Sequence, residues 1–190
     1  MKIRLLGTGN LAVTLGTAWA GAGHSIVVTG RNPEHADSAA QQIGAGATPV
    51  DPKDLPDLAD VVVVAIHWSG LESALTLVGG PEGTLSGKTV IDCTNPIDYA
   101  TGRMLPESGS AAELVAHIAT GTHVVKALHL FAGASWPFTG EPAASPVVAI
   151  CGDDAGALSL AETLIADLGR GRRGWAGSTP PGRPRRPQDS

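Results

Sequence analysis

Residues 1–31 read MKIRLLGTGNLAVTLGTAWAGAGHSIVVTGR. A short apolar run, Ile3–Leu6, meets GTGNLA at 7–12. Leu11–Ala22 then has a helical pattern, closed by Gly21 and Gly23. Ser25–Thr29 follows as a second strand, rich in β-branched residues. Gly7, Gly9 and Ala12 therefore fill G-x-G-x-x-A directly after a strand and into a helix. Gly7 permits the tight turn, Gly9 lets the backbone approach a pyrophosphate, and Ala12 keeps the helix close to the sheet. Free N–H groups and the positive end of the helix dipole then face the phosphates. An ordinary glycine-rich turn would carry the same glycines. Its position on the first strand of a βαβ unit is what favours a dinucleotide.

The end of the second strand refines this. Many NAD sites carry Asp or Glu there, gripping the ribose 2′-hydroxyl. Here the chain reads Thr29-Gly30-Arg31-Asn32, with no acid. Arg31 is placed to make charge-assisted bonds to a 2′-phosphate, with the Thr29 hydroxyl as a second donor and Asn32 beside them. NADP(H) is expected over NAD(H).

Outward from this unit, apolar runs alternate with helical patterns. Pro33–Ile43 is predicted as a helix capped by Asn32. Strands are predicted at Thr48–Val50, Val61–Ile66, Thr89–Cys93, His123–Leu128 and Pro146–Cys151, and helices at Leu71–Val78, Ala111–Ala119 and Ala155–Leu168. Strands separated by helices pair in parallel through crossovers. The expected fold is α/β: a Rossmann-like, doubly wound, mainly parallel sheet with helices on both faces. Residues 1–169 would form the NADP-binding domain. Residues 170–190, rich in Arg, Pro and Gly, read as a disordered basic tail.

Ligands of such sheets bind beyond the carboxyl ends of the strands. Ile66 and His67 are placed to border the nicotinamide ribose. Asn95 can hydrogen-bond a ribose or carboxamide, and Pro96 stiffens its turn. The segment from His129 through Phe131 to Trp136 is mostly apolar and suits a second substrate's pocket. Each also has a plainer use: histidines at strand ends pack, tryptophans cover sheet edges, and Asn-Pro makes turns. No side chain stands out as catalytic. There is no nucleophile signature and no metal-ligand spacing. None of Lys2, Lys53, Lys88 and Lys126 is placed to suggest a Schiff base. Hydride chemistry carried by a cofactor fits that absence.

Composition narrows the partners. The net charge of −5 is uneven: residues 1–169 hold 7 basic and 17 acidic side chains, whereas 170–190 hold 6 Arg and 1 Asp. An acidic body argues against nucleic-acid binding. No signal peptide or membrane-length apolar run is seen, so a cytoplasmic protein without a membrane partner is expected. Cys93 and Cys151 read as reduced core thiols.

GTGNLA at 7–12, TGRNPEHA at 29–36, VIDCTNP at 90–96, VVKAL at 124–128 and AICGDDAGA at 149–157 resemble the NADP-dependent oxidoreductases that use coenzyme F420, a deazaflavin. The resemblance covers most of residues 1–169. It implies that Thr8, Gly9, Asn10 and Leu11 wrap the pyrophosphate, that Thr29 and Arg31 hold the 2′-phosphate, and that Ile66, His67 and Asn95 follow the nicotinamide half. It further implies direct hydride transfer between stacked rings, a small C-terminal part helping to form the deazaflavin cleft, and usually a homodimer. Two features depart from the family pattern. ALHLFAGASWPF follows VVKA where a polar residue such as Asn often stands. RGRRGWAGSTPPGRPRRPQDS follows residue 169, as a basic tail or as a frameshifted end that replaces further strand and helices. Two other functions therefore stay open. One is an NADP-binding module without turnover, truncated or redox-sensing. The other is an NADPH reductase of a flavin, a metal chelate or a small carbonyl. A hydroxyacid dehydrogenase would need a large helical second domain, for which there is no room.

Overall fold

The computed structural model describes residues 1–105, 109–130, 133–138 and 147–169. The chain runs β1 (Lys2–Leu6), α1 (Asn10–Gly21), β2 (Ser25–Thr29), α2 (Pro33–Ile43), β3 (Thr48–Pro49), β4 (Val61–Val64), α3 (Leu71–Leu77), β5 (Thr89–Asp92), β6 (Ile97–Asp98), β7 (Arg103–Met104), α4 (Ala111–Ile118), β8 (His123–Lys126), β9 (Cys151–Gly152) and α5 (Ala155–Leu168). Seven strands form one sheet in the order β3-β2-β1-β4-β5-β8-β9, and β6 and β7 form a separate hairpin. Strand order reverses between β1 and β4, so a crevice opens at their carboxyl ends. The expected Rossmann-like architecture is the one observed.

Alternation along the central strands builds the two faces. Ile3, Leu5, Val61, Val63, Ile91 and Val125 point to a core with α1, α2 and α5 residues such as Leu15, Ala39 and Leu164. Leu6, Val62, Val64 and Val90 point the other way, against Leu71 and Leu75 of α3 and Val115 of α4. The VVVV run of β4 is buried on both faces, which is why it lacks polar alternation. Trp19 of α1 is fully buried, and its Nε1 donates to the Leu164 carbonyl of α5 at 2.8 Å, tying two distant helices.

Helix ends follow local chemistry. Asn32, Ser110 and Asp154 cap α2, α4 and α5 by accepting from the N–H of Glu34, Glu113 and Ala157. The α1 helix begins at Gly9 without a side-chain cap.

The last strand differs from expectation. The described part of Pro146–Cys151 pairs only through Cys151 and Gly152, antiparallel to β8. A crossover helix is what enforces parallel pairing, and between β8 and β9 the described residues hold only a 3-10 turn at Gly133–Ser135. On this edge strand Cys151 is exposed rather than a core thiol, whereas Cys93 is buried. Burial and the adjacent Asp92 push the Cys93 thiol far above its ordinary range, so it stays protonated. The β6–β7 hairpin is not evident from the sequence; its tip is an Asp98 turn that accepts from Ala100 N–H and the Thr101 hydroxyl. The expected basic tail lies outside the described residues. No described helix is long and apolar enough to cross a membrane.

Candidate functional site

The crevice between β1 and β4 holds a cavity of about 240 Å3, lined by Gly7, Thr8, Gly9, Gly30, Arg31, Ile66 and His67, among others. Close approach of two strand ends creates it. Gly7 has φ +135°, and its N–H donates to the Thr29 carbonyl at 2.9 Å. A Cβ there would lie 2.3 Å from the Ala65 carbonyl oxygen, so only glycine lets the β1 turn pass under the end of β4. Gly30 plays a similar part: a Cβ would lie 2.9 Å from Thr8 Cγ2.

Gly9 is different. Its backbone, φ −81° and ψ 178°, suits any residue, and a Cβ would meet nothing within 4 Å. Glycine here leaves space above the α1 N-terminus. The first-turn N–H groups open into that space with no side-chain cap and no acid in the first turn. A helix N-terminus of this kind holds an oxyanion well. Arg31 stands exposed on the rim and makes no hydrogen bond or ion pair with described residues. These features fit a dinucleotide with a phosphorylated ribose: donors for the diphosphate and an unpaired guanidinium one strand away.

His67 lines the same cavity. Its Nδ1 accepts from Ser69 N–H at 3.3 Å and lies 3.0 Å from Ser69 Oγ. An acceptor Nδ1 carries no proton, so the neutral ring bears it on Nε2. Ser69 and Gly70 also line the cavity and were not read from the sequence; they belong to a 3-10 turn, Trp68–Gly70, that no residue pattern marked.

Several expected residues sit elsewhere. Thr29 is fully buried, and its hydroxyl donates to the Val50 carbonyl at 2.8 Å. That hydrogen is spent on fastening the end of β2 to the chain after β3, so Thr29 is not a second phosphate donor. Asn32 is occupied as the α2 cap, accepting from Glu34 N–H at 2.8 Å. Asn10 is exposed in the first turn of α1, while the Leu11 side chain packs on the core and leaves its backbone to the turn. Asn95 and Pro96 leave β5 beyond the walls of this cavity; Pro96 is buried and its carbonyl accepts from Leu105 N–H, closing the hairpin. Trp136 is a core residue on the α1 and α5 face, not the wall of an open pocket, because the turn at 133–135 packs against α1. Phe131 lies outside the described residues. His129 is half-buried just past β8, with a buried Nδ1 that has no hydrogen-bond partner among the described residues. Burial first, and the nearby Lys126 ammonium second, hold its pKa below the ordinary histidine value.

A second polar cluster was missed altogether. The fully buried Asp92 carboxylate pairs with Lys126 Nζ at 2.9 Å and accepts from Thr94 N–H and Oγ1 at 2.8 and 2.7 Å. Its members are up to 34 residues apart in sequence, and the apolar runs containing them hide it. Among the described residues, no group of three or more His, Cys, Asp or Glu is arranged to hold a metal.

Comparison with known proteins agrees with this geometry. Residues 2–96, half of the chain, match the family described as NADP oxidoreductase, coenzyme F420-dependent. The F420-dependent NADP reductase of Methanothermobacter marburgensis is 32% identical over 181 residues, covering 88% of this chain and 80% of that protein. Metalloreductase STEAP3 of Rattus norvegicus is 27% identical over 169 residues; the match covers 88% of this chain but only 32% of that protein. Among solved structures, a provisionally designated F420-dependent NADP-reductase from Arthrobacter sp. FB24 superposes with a TM-score of 0.77 at 26% identity, covering 90% of this chain and 82% of that one. With an open crevice at the ends of β1 and β4, an α1 N-terminus without a side-chain cap and these relatives in agreement, the chain belongs to the family of coenzyme F420-dependent NADP oxidoreductases.

Proposed function

We propose that this protein moves a hydride between NADPH and a deazaflavin, coenzyme F420 or a close analogue. The observation that carries this reading is the combination at the β1–β4 crevice: open space at Gly9, uncapped N–H groups of α1, and an unpaired Arg31 on the rim. The N–H groups after Gly7 would hold the diphosphate, and Arg31 would hold the 2′-phosphate. Ile66 and the Nε2–H of His67 would border the nicotinamide half, with Asn95 beyond. When bound, NADPH supplies the hydride. The chain contributes position and exclusion of water, and needs no nucleophile of its own. His129, neutral at pH 7, offers an unmet hydrogen-bonding nitrogen on the acceptor side. Residues 1–169 form the NADP-binding unit in this account, with 170–190 a solvated tail and small molecules as the partners.

Mixing the protein with NADPH and oxidised F420, and following the deazaflavin absorbance, tests the reading. Loss of that absorbance with matching NADPH oxidation supports it. Tight NADPH binding with F420 left oxidised removes it, and turnover with a flavin or a ferric chelate would then assign the acceptor instead.

A further inference from the structure

The carboxyl edge of the sheet places the Asp92 cluster in line with the candidate cofactor site. Register pairs Thr29 with Leu6, Leu6 with Val64, Val64 with Asp92, and Asp92 with Lys126. These five residues form one row across five strands. At about 4.8 Å per strand, Lys126 stands roughly 10 Å past the end of β4 and about 19 Å from the end of β2. A dinucleotide with its phosphorylated ribose at Arg31 and its diphosphate at Gly9 extends along this row. The β5 and β8 ends are therefore next to its reactive ring, where a second substrate stacks. This step rests on the proposed cofactor orientation.

Three observations converge on that spot. First, Lys126 is pinned. Its ammonium donates to Asp92 Oδ2 and to the Thr94 carbonyl, and Asp92 is itself held by the Thr94 N–H and hydroxyl. A buried carboxylate is tolerated only when paired and fully hydrogen-bonded, and both conditions are met. Second, an ammonium has three donors, and the third has no acceptor among the described residues, on a side chain that is 13% exposed. Third, Leu128 adopts φ +62° while its side chain is buried in the core. A non-glycine residue holds that conformation only where its surroundings enforce it. The chain thus leaves β8 through a fixed bend, with Lys126 on one side and the orphaned Nδ1 of His129 on the other.

We propose that Lys126, positioned by Asp92 and Thr94, donates its third N–H to a conjugated carbonyl oxygen of the acceptor, the atom on which negative charge collects as hydride arrives. The nicotinamide C–H bond breaks with its electron pair, and a C–H bond forms on the acceptor. NADPH is oxidised to NADP+, and the acceptor is reduced by two electrons to an anion. A proton from water neutralises that anion afterwards, and Lys126 stays an ammonium throughout. The interaction strengthens only as charge develops, so it acts on the rate more than on ground-state binding.

The test uses the full chain with Asp92→Asn and Lys126→Met combined, so that no buried charge is left alone. The double variant keeps its NADPH affinity. Its kcat for F420 reduction falls about 100-fold, the loss expected for one preorganised donor, and the primary isotope effect with 4-deuterated NADPH rises. Binding gives a second readout without turnover. Reduced F420 binds the NADPH-loaded variant about tenfold more weakly, while oxidised F420 on the NADP+-loaded variant changes less than about threefold. Lys126→Arg, which retains the cation, loses less than about tenfold in kcat. Should the double variant not fold, Thr94→Val loosens the anchor alone and lowers kcat about fivefold at unchanged oxidised-F420 affinity. A folded double variant with wild-type kcat and equal affinity changes for both F420 forms overturns the role of Lys126 and leaves the reductase reading intact. A wild-type protein that binds NADPH and leaves F420 oxidised overturns the reductase reading itself.

Discussion

Replacing Gly9 with alanine separates a phosphate cradle from a mere turn. At Gly7 the two functions are fused, because a Cβ would lie 2.3 Å from the Ala65 carbonyl oxygen and φ is +135°. At Gly9 they come apart. The backbone already suits an L-residue, and the added methyl meets nothing within 4 Å. Alanine is a poorer helix N-cap than glycine, but it also lowers the entropy of the unfolded chain. These opposing terms are each about 0.5–1 kcal/mol, so net stability changes by less than about 1 kcal/mol. The methyl does, however, stand where a diphosphate would approach the α1 N–H groups. Losing one charge-assisted hydrogen bond costs about 2 kcal/mol, or roughly 30-fold in Kd. The assay is paired: thermal unfolding of the apoprotein, and calorimetric titration with NADPH. An unchanged Tm with a Kd weakened at least tenfold is the expected result. Unchanged NADPH affinity would refute the reasoning, since the space above Gly9 would then hold no phosphate.

Other substitutions probe the remaining claims. Thr29→Val removes the bond to the Val50 carbonyl and should lower stability by about 1 kcal/mol in denaturant titration while changing NADPH affinity less than about twofold; a tenfold loss of affinity would restore Thr29 as a phosphate ligand. Arg4 is buried in β1, and its Nε and Nη1 have no hydrogen-bond partner among the described residues. Arg4→Met should therefore raise stability by about 1–3 kcal/mol, and a fall in Tm would show that the guanidinium is better satisfied than its geometry indicates. His129 has a folded pKa below the ordinary 6.5, so between those two values the unfolded chain binds the extra proton. Stability should fall as pH drops through that window and rise as pH increases through it. His129→Asn should flatten that part of the Tm-against-pH curve, and an identical slope would contradict the burial of the neutral ring.

The sequence was informative where local chemistry is decisive. Ser25–Thr29, Pro33–Ile43 and Ala155–Leu168 have the limits expected, because β-branched alternation, an Asn-Pro helix start and an Asp cap each mark a boundary. Strand ends overran. Val61–Ile66 stops at Val64, since Ala65 and Ile66 leave the sheet to pass over Gly7. The direction of β9 was illegible, because an apolar run does not reveal its pairing partner, and Val147 proves 89% exposed. In the site, Gly7, Thr8, Gly9, Arg31, Ile66 and His67 do converge on one cavity. Thr29 and Trp136 could not be sorted by type, as a threonine hydroxyl and an indole serve packing as readily as ligand binding. The Asp92–Lys126 pair depends on two strands meeting in register, which no local pattern encodes.

One comparison bears most directly on the cradle: calorimetric titration of NADPH and NADH into the wild-type protein and into Arg31→Ala. Arg31 has no partner among the described residues. Wild type should bind NADPH at least tenfold tighter than NADH, and Arg31→Ala should lose most of that preference while its NADH affinity stays nearly constant, as for a charge-assisted contact of about 1.5–3 kcal/mol to the 2′-phosphate. Equal or tighter binding of NADH by the wild-type protein would contradict the account.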